Sequence, residues 1–409
     1  MPKFLTIDDF DVKGKTVLLR VDFNSPIDPA SGRILDNSRI VRHVETIREL
    51  AEKGAKVVIL AHQGRKGDPD FTTLRQHAIE LEKVMGRKVM YVDDIFGEKA
   101  KNAIKSLKEG DVLLLENVRM WDGEAVNKSP KEHAKSQLVK ELAPLADLFI
   151  NDAFAAAHRS HASLVGFTVV LPSAAGRVME KELKALERVV ERPKHPSIYV
   201  LGGSKVEDIV EVSENVLSKG IADLILTGGV VAMVMAAAKG LDLGPANMKF
   251  LEDKGYIGAA DEVRRLLMEY GDRIRVPVDF AVKTATGDRL ELPLQRFPHN
   301  APIMDIGSET AMLYGKELLE AKTIVISGPM GVFEERRFAI GTAYVFTAAI
   351  TSRAFSVIGG GHTIAAAESM NLVDKFSYAS TGGGALMSLL MGEEMPAIKA
   401  LEAAASRGT

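Results

Sequence analysis

Nine apolar runs, and the way each one ends, constrain this 409-residue chain more than any other feature. Four in the first half, TVLLRVDFN, VVILAHQGR, VLLLENVR and LFINDAFAAAHR, finish on Arg, His, Asp or Asn. Five in the second half, IYVLGGSK, LILTGG, TIVISGPMGVF, FSVIGGGHT and YASTGGG, finish in glycine clusters. In an open parallel sheet, ligands bind just beyond the carboxyl ends of the strands, so these endings carry the function. Glycine lets backbone N–H groups approach a phosphate without a Cβ in the way, and a following helix N-terminus adds a favourable dipole. Arginine and histidine suit a small, strongly anionic molecule. The pattern implies two lobes that hold two different phosphorylated ligands.

Between these runs lie amphipathic stretches such as IVRHVETIRELAEKG and LRQHAIELEKVMG, the alternation of an α/β chain. The expected architecture is two Rossmann-like, three-layer α/β/α lobes with mainly parallel sheets, joined by an inter-lobe helix. The length exceeds what one core usually supports, and 46% hydrophobic residues can fill two. Met179, Leu183, Leu186 and Val190 fall at helical spacing, with Ser173 as the expected cap and Pro193 and Pro196 as the stop. This puts the inter-lobe helix at residues 173–192, the first lobe at 1–172 and the second at 193–390. Residues 284–298 have turn signals and weak periodicity and read as an irregular excursion.

A formal net charge of -3 gives no overall field for nucleic acid or acidic membranes, so any anion site must be local. Without cysteine there are no disulfides, thiolate nucleophiles or Cys-ligated metals. The start, MPKFLTIDDF, lacks the pattern of a signal peptide, and the cytoplasm is the expected location. The apolar segment GVVAMVMAAA is about half the ~20 residues a spanning helix requires and reads as a buried helix.

No G-x-x-x-x-G-K-[ST] motif occurs, because Asp9 stands where the glycine before Gly14-Lys15-Thr16 is required. Neither glycine run near 360 nor that near 383 completes G-x-G-x-x-G, which weakens a dinucleotide reading. The recurrence of Arg20, Arg39, His62, Arg65, Arg119, His158 and Arg159 around strand ends argues for one basic rim, with Asp22, Asn24 and Asn151 nearby. His158 and His161 form a metal pair only with a third ligand, and none is in view, so hydrogen bonding or phosphate contact is their expected role. Asp22, Asp152 and Asp279 sit where a cap or ion pair is as natural as acid–base chemistry, and none is assigned as a base.

TVLLRVDFNSP followed by Arg39, then AHQGR, ENVRM, NDAFAAAHRSH, LGGSKVED, SGPMGVFE and STGGGA, resembles the motifs of the phosphoglycerate kinases in family order over nearly the whole chain. The resemblance implies reversible phosphoryl transfer from 1,3-bisphosphoglycerate to ADP, giving 3-phosphoglycerate and ATP in glycolysis and gluconeogenesis, with Mg2+ accompanying the nucleotide. By position, Asp22, Phe23, Asn24, Arg39, His62, Gln63, Gly64, Arg65, Arg119 and Arg159 are implied at the 3-phosphoglycerate site. Gly202, Gly203, Lys205, Gly228, Gly229, Gly360, Gly361, His362 and Thr363 are implied at the nucleotide site, with Glu334 on the ribose. Arg39, Lys205, Gly383 and Gly384 are implied catalytic, Arg39 as the clamp on the phosphoryl group in flight. The family also folds its final segment, here 391–409, back on the first lobe, and closes its lobes about a hinge, here the inter-lobe helix. Small-molecule substrates are the expected partners, with neither nucleic acid nor membrane, and the chain as monomer or homodimer.

Three positions depart from the family pattern. The usual G-G-G-D is G-G-G-H, with His362 in place of the aspartate that binds magnesium, so no protein ligand for the metal is assigned; this loop is similar to that of archaeal members. The usual second lysine of the first glycine loop is Ile209, and D-I-G-P ends in Ser308. Two other readings compete: a nicotinamide-dependent dehydrogenase, which NADH titration would reveal, and a non-catalytic phosphometabolite sensor, which would bind 3-phosphoglycerate and leave ATP intact.

Overall fold

Runs of three to five β-branched and leucine residues, too short for helices and apolar on both faces, become parallel strands covered on each side by amphipathic helices. The structure is a computed structural model and describes residues 4–407. The chain divides into two units, Met1–Leu183 with Glu394–Thr409, and Lys184–Glu393.

The first unit runs through β1 (Thr16–Arg20), α1 (Ser38–Glu52), β2 (Lys56–Leu60), α2 (Arg75–Met85), β3 (Met90–Tyr91) and α3 (Glu98–Lys105). It continues with β4 (Val112–Leu114), α4 (Pro130–His133), α5 (Gln137–Leu142), β5 (Leu148–Asn151), β6 (Ser173–Ala175) and α6 (Arg177–Leu186). The strands form one parallel sheet in the order β3-β4-β2-β1-β5-β6. Alternate residues feed opposite layers: Val17, Leu19, Val57, Ile59 and Ile150 pack with Ile40, Val44 and Ile47 of α1, while Leu18, Val58, Leu60 and Phe149 pack with Ile104 and Leu138.

The second unit contains β7 (Ser197–Leu201), α7 (Val206–Ser218), β8 (Leu224–Thr227), α8 (Gly229–Ala238), α9 (Pro245–Asp253), α10 (Ala260–Tyr270) and β9 (Ile274–Arg275). Then come β10 (Asp279–Lys283), β11 (Arg289–Pro293), β12 (Ile303–Ile306), α11 (Ser308–Glu320), β13 (Thr323–Ser327) and α12 (Ile340–Thr351). It ends with β14 (Phe355–Gly359), α13 (Gly361–Ser369), β15 (Tyr378–Ala379) and α14 (Gly383–Leu390). Its parallel sheet has the order β15-β14-β13-β7-β8-β9. The last helix, α15 (Pro396–Ser406), belongs to the first unit and packs on β6, where Ala397 N–H donates to Ala157 O and Arg407 to Thr168 O.

Strand order reverses once in each parallel sheet, between β1 and β5 in the first unit and between β7 and β13 in the second. Loops leaving such a neighbouring pair diverge and open a crevice at the carboxyl edge.

The structure corrects two expectations. Ser173 does not cap a helix: residues 173–175 form edge strand β6, and the Ser173 hydroxyl donates to Leu171 O. The helix starts at Arg177 because the Asp152 carboxylate accepts Val178 N–H at 2.8 Å and Met179 N–H at 3.2 Å. It runs to Leu186 and continues as a wider turn through Glu191. Residues 284–298 are also more ordered than expected, since β11 pairs antiparallel with β10 across a turn at Gly287 (φ +83°). Its alternation is hidden because Arg289 and Glu291 are polar and ion-paired to each other. The segment Gly229–Ala238 is helix α8, buried from Val231 to Ala236. Among the described residues no helix is long and apolar enough to cross a membrane.

Candidate active site

At the carboxyl edge of the first sheet, the loops after β1, β2, β4 and β5 bring the basic side chains together. Arg20 is buried, with Nε donating to Ser163 Oγ at 2.7 Å and another nitrogen 3.1 Å from His62 Nδ1. Ser163 Oγ in turn donates to Glu124 at 2.6 Å, which places a buried carboxylate behind the rim. Arg119 donates to Gly64 O. Arg39, in the first turn of α1, pairs with the Asp22 carboxylate, which also accepts Asn24 N–H at 3.0 Å. Asn24 Oδ1 accepts Gly64 N–H at 2.8 Å and so joins the β1 and β2 loops.

The electrostatics show how crowded this positive charge is. Burial lowers Arg119 to about 10, and Arg159, Arg20 and Arg65 add to the effect. Arg159 is lowered by burial and by Arg65. His62 lies well below its usual value through burial and the fields of Arg20, Arg119 and Arg159, and His161 falls to about 3 for the same reasons. Both imidazoles are therefore neutral donor–acceptors beside a cluster of cations, a surface built to receive an anion.

Several sequence-derived candidates do not face outward. Phe23 is fully buried in the core and stacks edge-on against His43 at 6.0 Å. Gln63 is also fully buried; its Oε1 accepts Ser25 N–H and faces His77 Nε2, while its Nε2 donates to Ser25 O and Asp70 O. These two hold the loops that carry the rim. Asp152 caps α6, and Asp279 caps α11 by accepting Glu309 and Thr310 N–H, so both serve the fold. Sequence reading missed Glu124, Ser163 and Asn117, whose amide joins the β2 and β4 loops by donating to Gln63 O and Thr72 O.

In the second unit the strand ends after β7, β8, β13, β14 and β15 lead into α7, α8, α13 and α14 or lie against them, presenting helix N-termini along the edge. The glycines divide by task. A Cβ on Gly328 (φ +93°) would fall 2.2 Å from Gly202 O, and one on Gly202 would fall 2.3 Å from Pro329 O, so these residues let the β7 and β13 loops pack together. Gly228 and Gly229 are closed in by Met330 and Gly203 in the same way. At Gly361 a Cβ would meet nothing within 4 Å, which leaves its backbone open to a ligand. Thr363 is buried, and its hydroxyl accepts Gly328 N–H at 2.7 Å, tying the β13 loop to α13.

Two cavities adjoin here. One of about 360 Å3 is walled by Met233, Phe250, Phe280, Met304, Val332 and Phe333, with Glu334 at its edge. The other, about 190 Å3, lies among Gly202, Gly203, Lys205, the residues 360–363 and Gly383 and Gly384. Gly203, Ser204, Pro329 and His362 line both. An apolar slot that opens onto a glycine-lined pocket fits a flat base followed by phosphates. Lys205 is largely exposed and 3.6 Å from Asp208, while buried Ile209 lines the smaller cavity. Magnesium prefers an octahedron of oxygens. This cavity offers N–H groups, the Lys205 ammonium, the His362 imidazole and the hydroxyls of Ser204, Ser327 and Thr363 but no carboxylate, and among the described residues no cluster of three His, Asp or Glu side chains could hold an ion. These residues do not form a magnesium cage.

Fold and edges together define a class: an α/β protein of two parallel-sheet units that handles phosphorylated small molecules. A sequence model described as phosphoglycerate kinase matches residues 7–393. The phosphoglycerate kinase of Methanothermobacter thermautotrophicus is 50% identical over 400 residues, covering 98% of this chain and 97% of its own. That of Saccharolobus solfataricus is 47% identical, covering 97% and 96%. The crystal structure of phosphoglycerate kinase from Pyrococcus horikoshii aligns with a TM-score of 0.89 at 46% identity, over 98% of this chain and all of that one. The chain belongs to the phosphoglycerate kinase family.

Proposed function

We propose that the first unit binds 3-phosphoglycerate on its basic rim, that the second binds ATP in its paired cavities, and that the enzyme passes the terminal phosphoryl group between them. The observation that carries this reading is the gathering of Arg20, Arg119 and Arg159, each held below its usual value by burial, with Arg65 adding to the field on Arg119 and Arg159 and His62 and His161 beside them. Asp22, Asn24, His62, Arg65, Arg119 and Arg159 orient the acceptor, Phe23, Gln63 and Gly64 supporting them. Glu334 meets the ribose, Gly203, Gly360, Gly361 and His362 meet the phosphates, and Gly202, Gly228, Gly229 and Thr363 shape the loops. The nucleotide arrives as its magnesium complex, and the cytoplasm is the expected site of the reaction.

A carboxylate oxygen of 3-phosphoglycerate attacks the γ-phosphorus, and the bond from that phosphorus to the β,γ-bridging oxygen breaks, leaving ADP and the acyl phosphate. The attacking carboxylate carries no proton, so no general base is needed, in keeping with the structural roles of Asp152 and Asp279. Rate comes from positioning and from cations around the phosphoryl oxygens. Arg39 supplies one, Lys205 a second, and the N–H groups of Gly383 and Gly384 open α14 toward the same charge. Ile209 leaves Lys205 as the cation of its loop. Transfer also requires both ligands at once, so we expect the two together to compact the molecule more than either alone, read by small-angle scattering.

Phosphorus NMR of the protein with MgATP and 3-phosphoglycerate, with hydroxylamine to trap acyl phosphate, tests the proposal. Stoichiometric ADP and trapped product that require 3-phosphoglycerate are expected. Binding of 3-phosphoglycerate with ATP left intact would overturn the kinase reading in favour of a sensor.

A further inference from the structure

We propose that His43 is a positioning residue for phosphoryl transfer, holding the Asp22–Arg39 pair in place from the cap of α6. This rests on the reading of Arg39 as the phosphoryl clamp. Arg39 and His43 lie four residues apart on α1 and so share a face of that helix. Asp22 N–H meets His43 Nε2 at 3.1 Å while the Asp22 carboxylate holds Arg39, so one ring braces the residue that aims the guanidinium. A backbone N–H can only donate, which makes Nε2 the unprotonated nitrogen and puts the ring hydrogen on Nδ1. Nδ1 lies 2.8 Å from Asp152 Oδ2, and the other oxygen of that carboxylate receives the first N–H groups of α6. The passage from the first unit to the second, Leu183 to Lys184, lies within that helix.

Burial makes this arrangement obligatory. His43 and Asp152 are 4% and 0% exposed, so neither can exchange its partner for water. Breaking one contact strands a polar group in the interior. The imidazole presents an acceptor to Asp22 and a donor to Asp152 from one rigid ring, which packs edge-on against Phe23. The orientation of the clamp is thereby referenced to the helix that carries the chain between units.

A double-mutant cycle tests this. His43→Asn keeps a donor for Asp152 and removes the acceptor for Asp22; kcat is expected to fall about 10- to 100-fold with both KM values within about twofold of wild type. In an Arg39→Ala background the same change is expected to cost less than about twofold, because His43 acts through Arg39. His43→Gln keeps an acceptor near Asp22 and loses the Asp152 link, and a smaller loss, about 3- to 10-fold, is expected, again absent without Arg39. Wild-type kcat in both variants, or equal losses with and without Arg39, would overturn the proposal. If Arg39→Ala alone keeps full turnover, the failure lies instead in the reading of Arg39.

Discussion

In the proposed function the two units solve one problem, gripping a phosphorylated molecule at the edge of a six-stranded parallel sheet, with opposite materials. The first uses charged side chains, each braced by buried polar partners: Arg20 by Ser163 and Glu124, and Arg39 by Asp22. The second uses backbone in loops so tightly packed that a methyl group on Gly328 or Gly202 has no room. The first site should therefore fail when atoms are deleted, and the second when atoms are added.

The largest expected effect is a deletion. Arg39→Ala should lower kcat by about 10³, the usual cost of losing a phosphoryl clamp. More than a tenth of wild-type turnover would remove Arg39 from its role. Next, Arg119→Ala should raise the KM for 3-phosphoglycerate about 30-fold or more and leave that for ATP unchanged, since a truncated charged contact typically costs 2 kcal/mol or more. Parallel rises in both constants would erase the distinction between the units.

Additions come third. Gly328→Ala forces a Cβ into a left-handed position against Gly202 and should destabilise by about 2 kcal/mol while weakening ATP binding. Gly361→Ala, in open space, should change stability by less than about 0.5 kcal/mol. Equal unfolding midpoints for the two variants would show that loop packing does not set the second site.

The smallest effect concerns acid. Glu49 is lowered from 4.5 to about 2, chiefly by hydrogen bonds from Arg177, with Lys53 assisting. Its folded value lies below its unfolded one, so its contribution is complete above about pH 4.5 and is lost as pH falls toward 2. Wild type should melt above Glu49→Gln at pH 7, and the gap should close by pH 2. A gap that stays constant across that range would rule out this linkage.

The same contrast explains what the sequence revealed. Strands were legible because apolar runs such as KVVIL and TIVIS can lie only between two layers, and their endings were legible because parallel topology delivers them to one edge. The family resemblance extended this to individual residues, and comparison with relatives removes the dehydrogenase alternative. What stayed hidden depends on pairing across distance. Asp152 meets His43 from 109 residues away, and Glu124 meets Ser163 across 39, and no local pattern announces either. The start of α6 is hidden for the same reason, since its cap is Asp152, just after β5, and not Ser173. Phe23 and Gln63 sit within matching motifs, yet point inward, which alternation at a strand end does not determine.

Helix α15 gives the molecule a history as well as a shape. It rests on β6 of the first unit, although residues 184–393 precede it in the chain. A ribosome therefore completes everything needed for the second unit before it supplies the piece that covers the first, a wait of roughly 10 to 40 s at about 5–20 residues per second. Throughout that interval the nascent first unit displays the uncovered flank of β6, and a chaperone or an early release of the chain would meet it in that state.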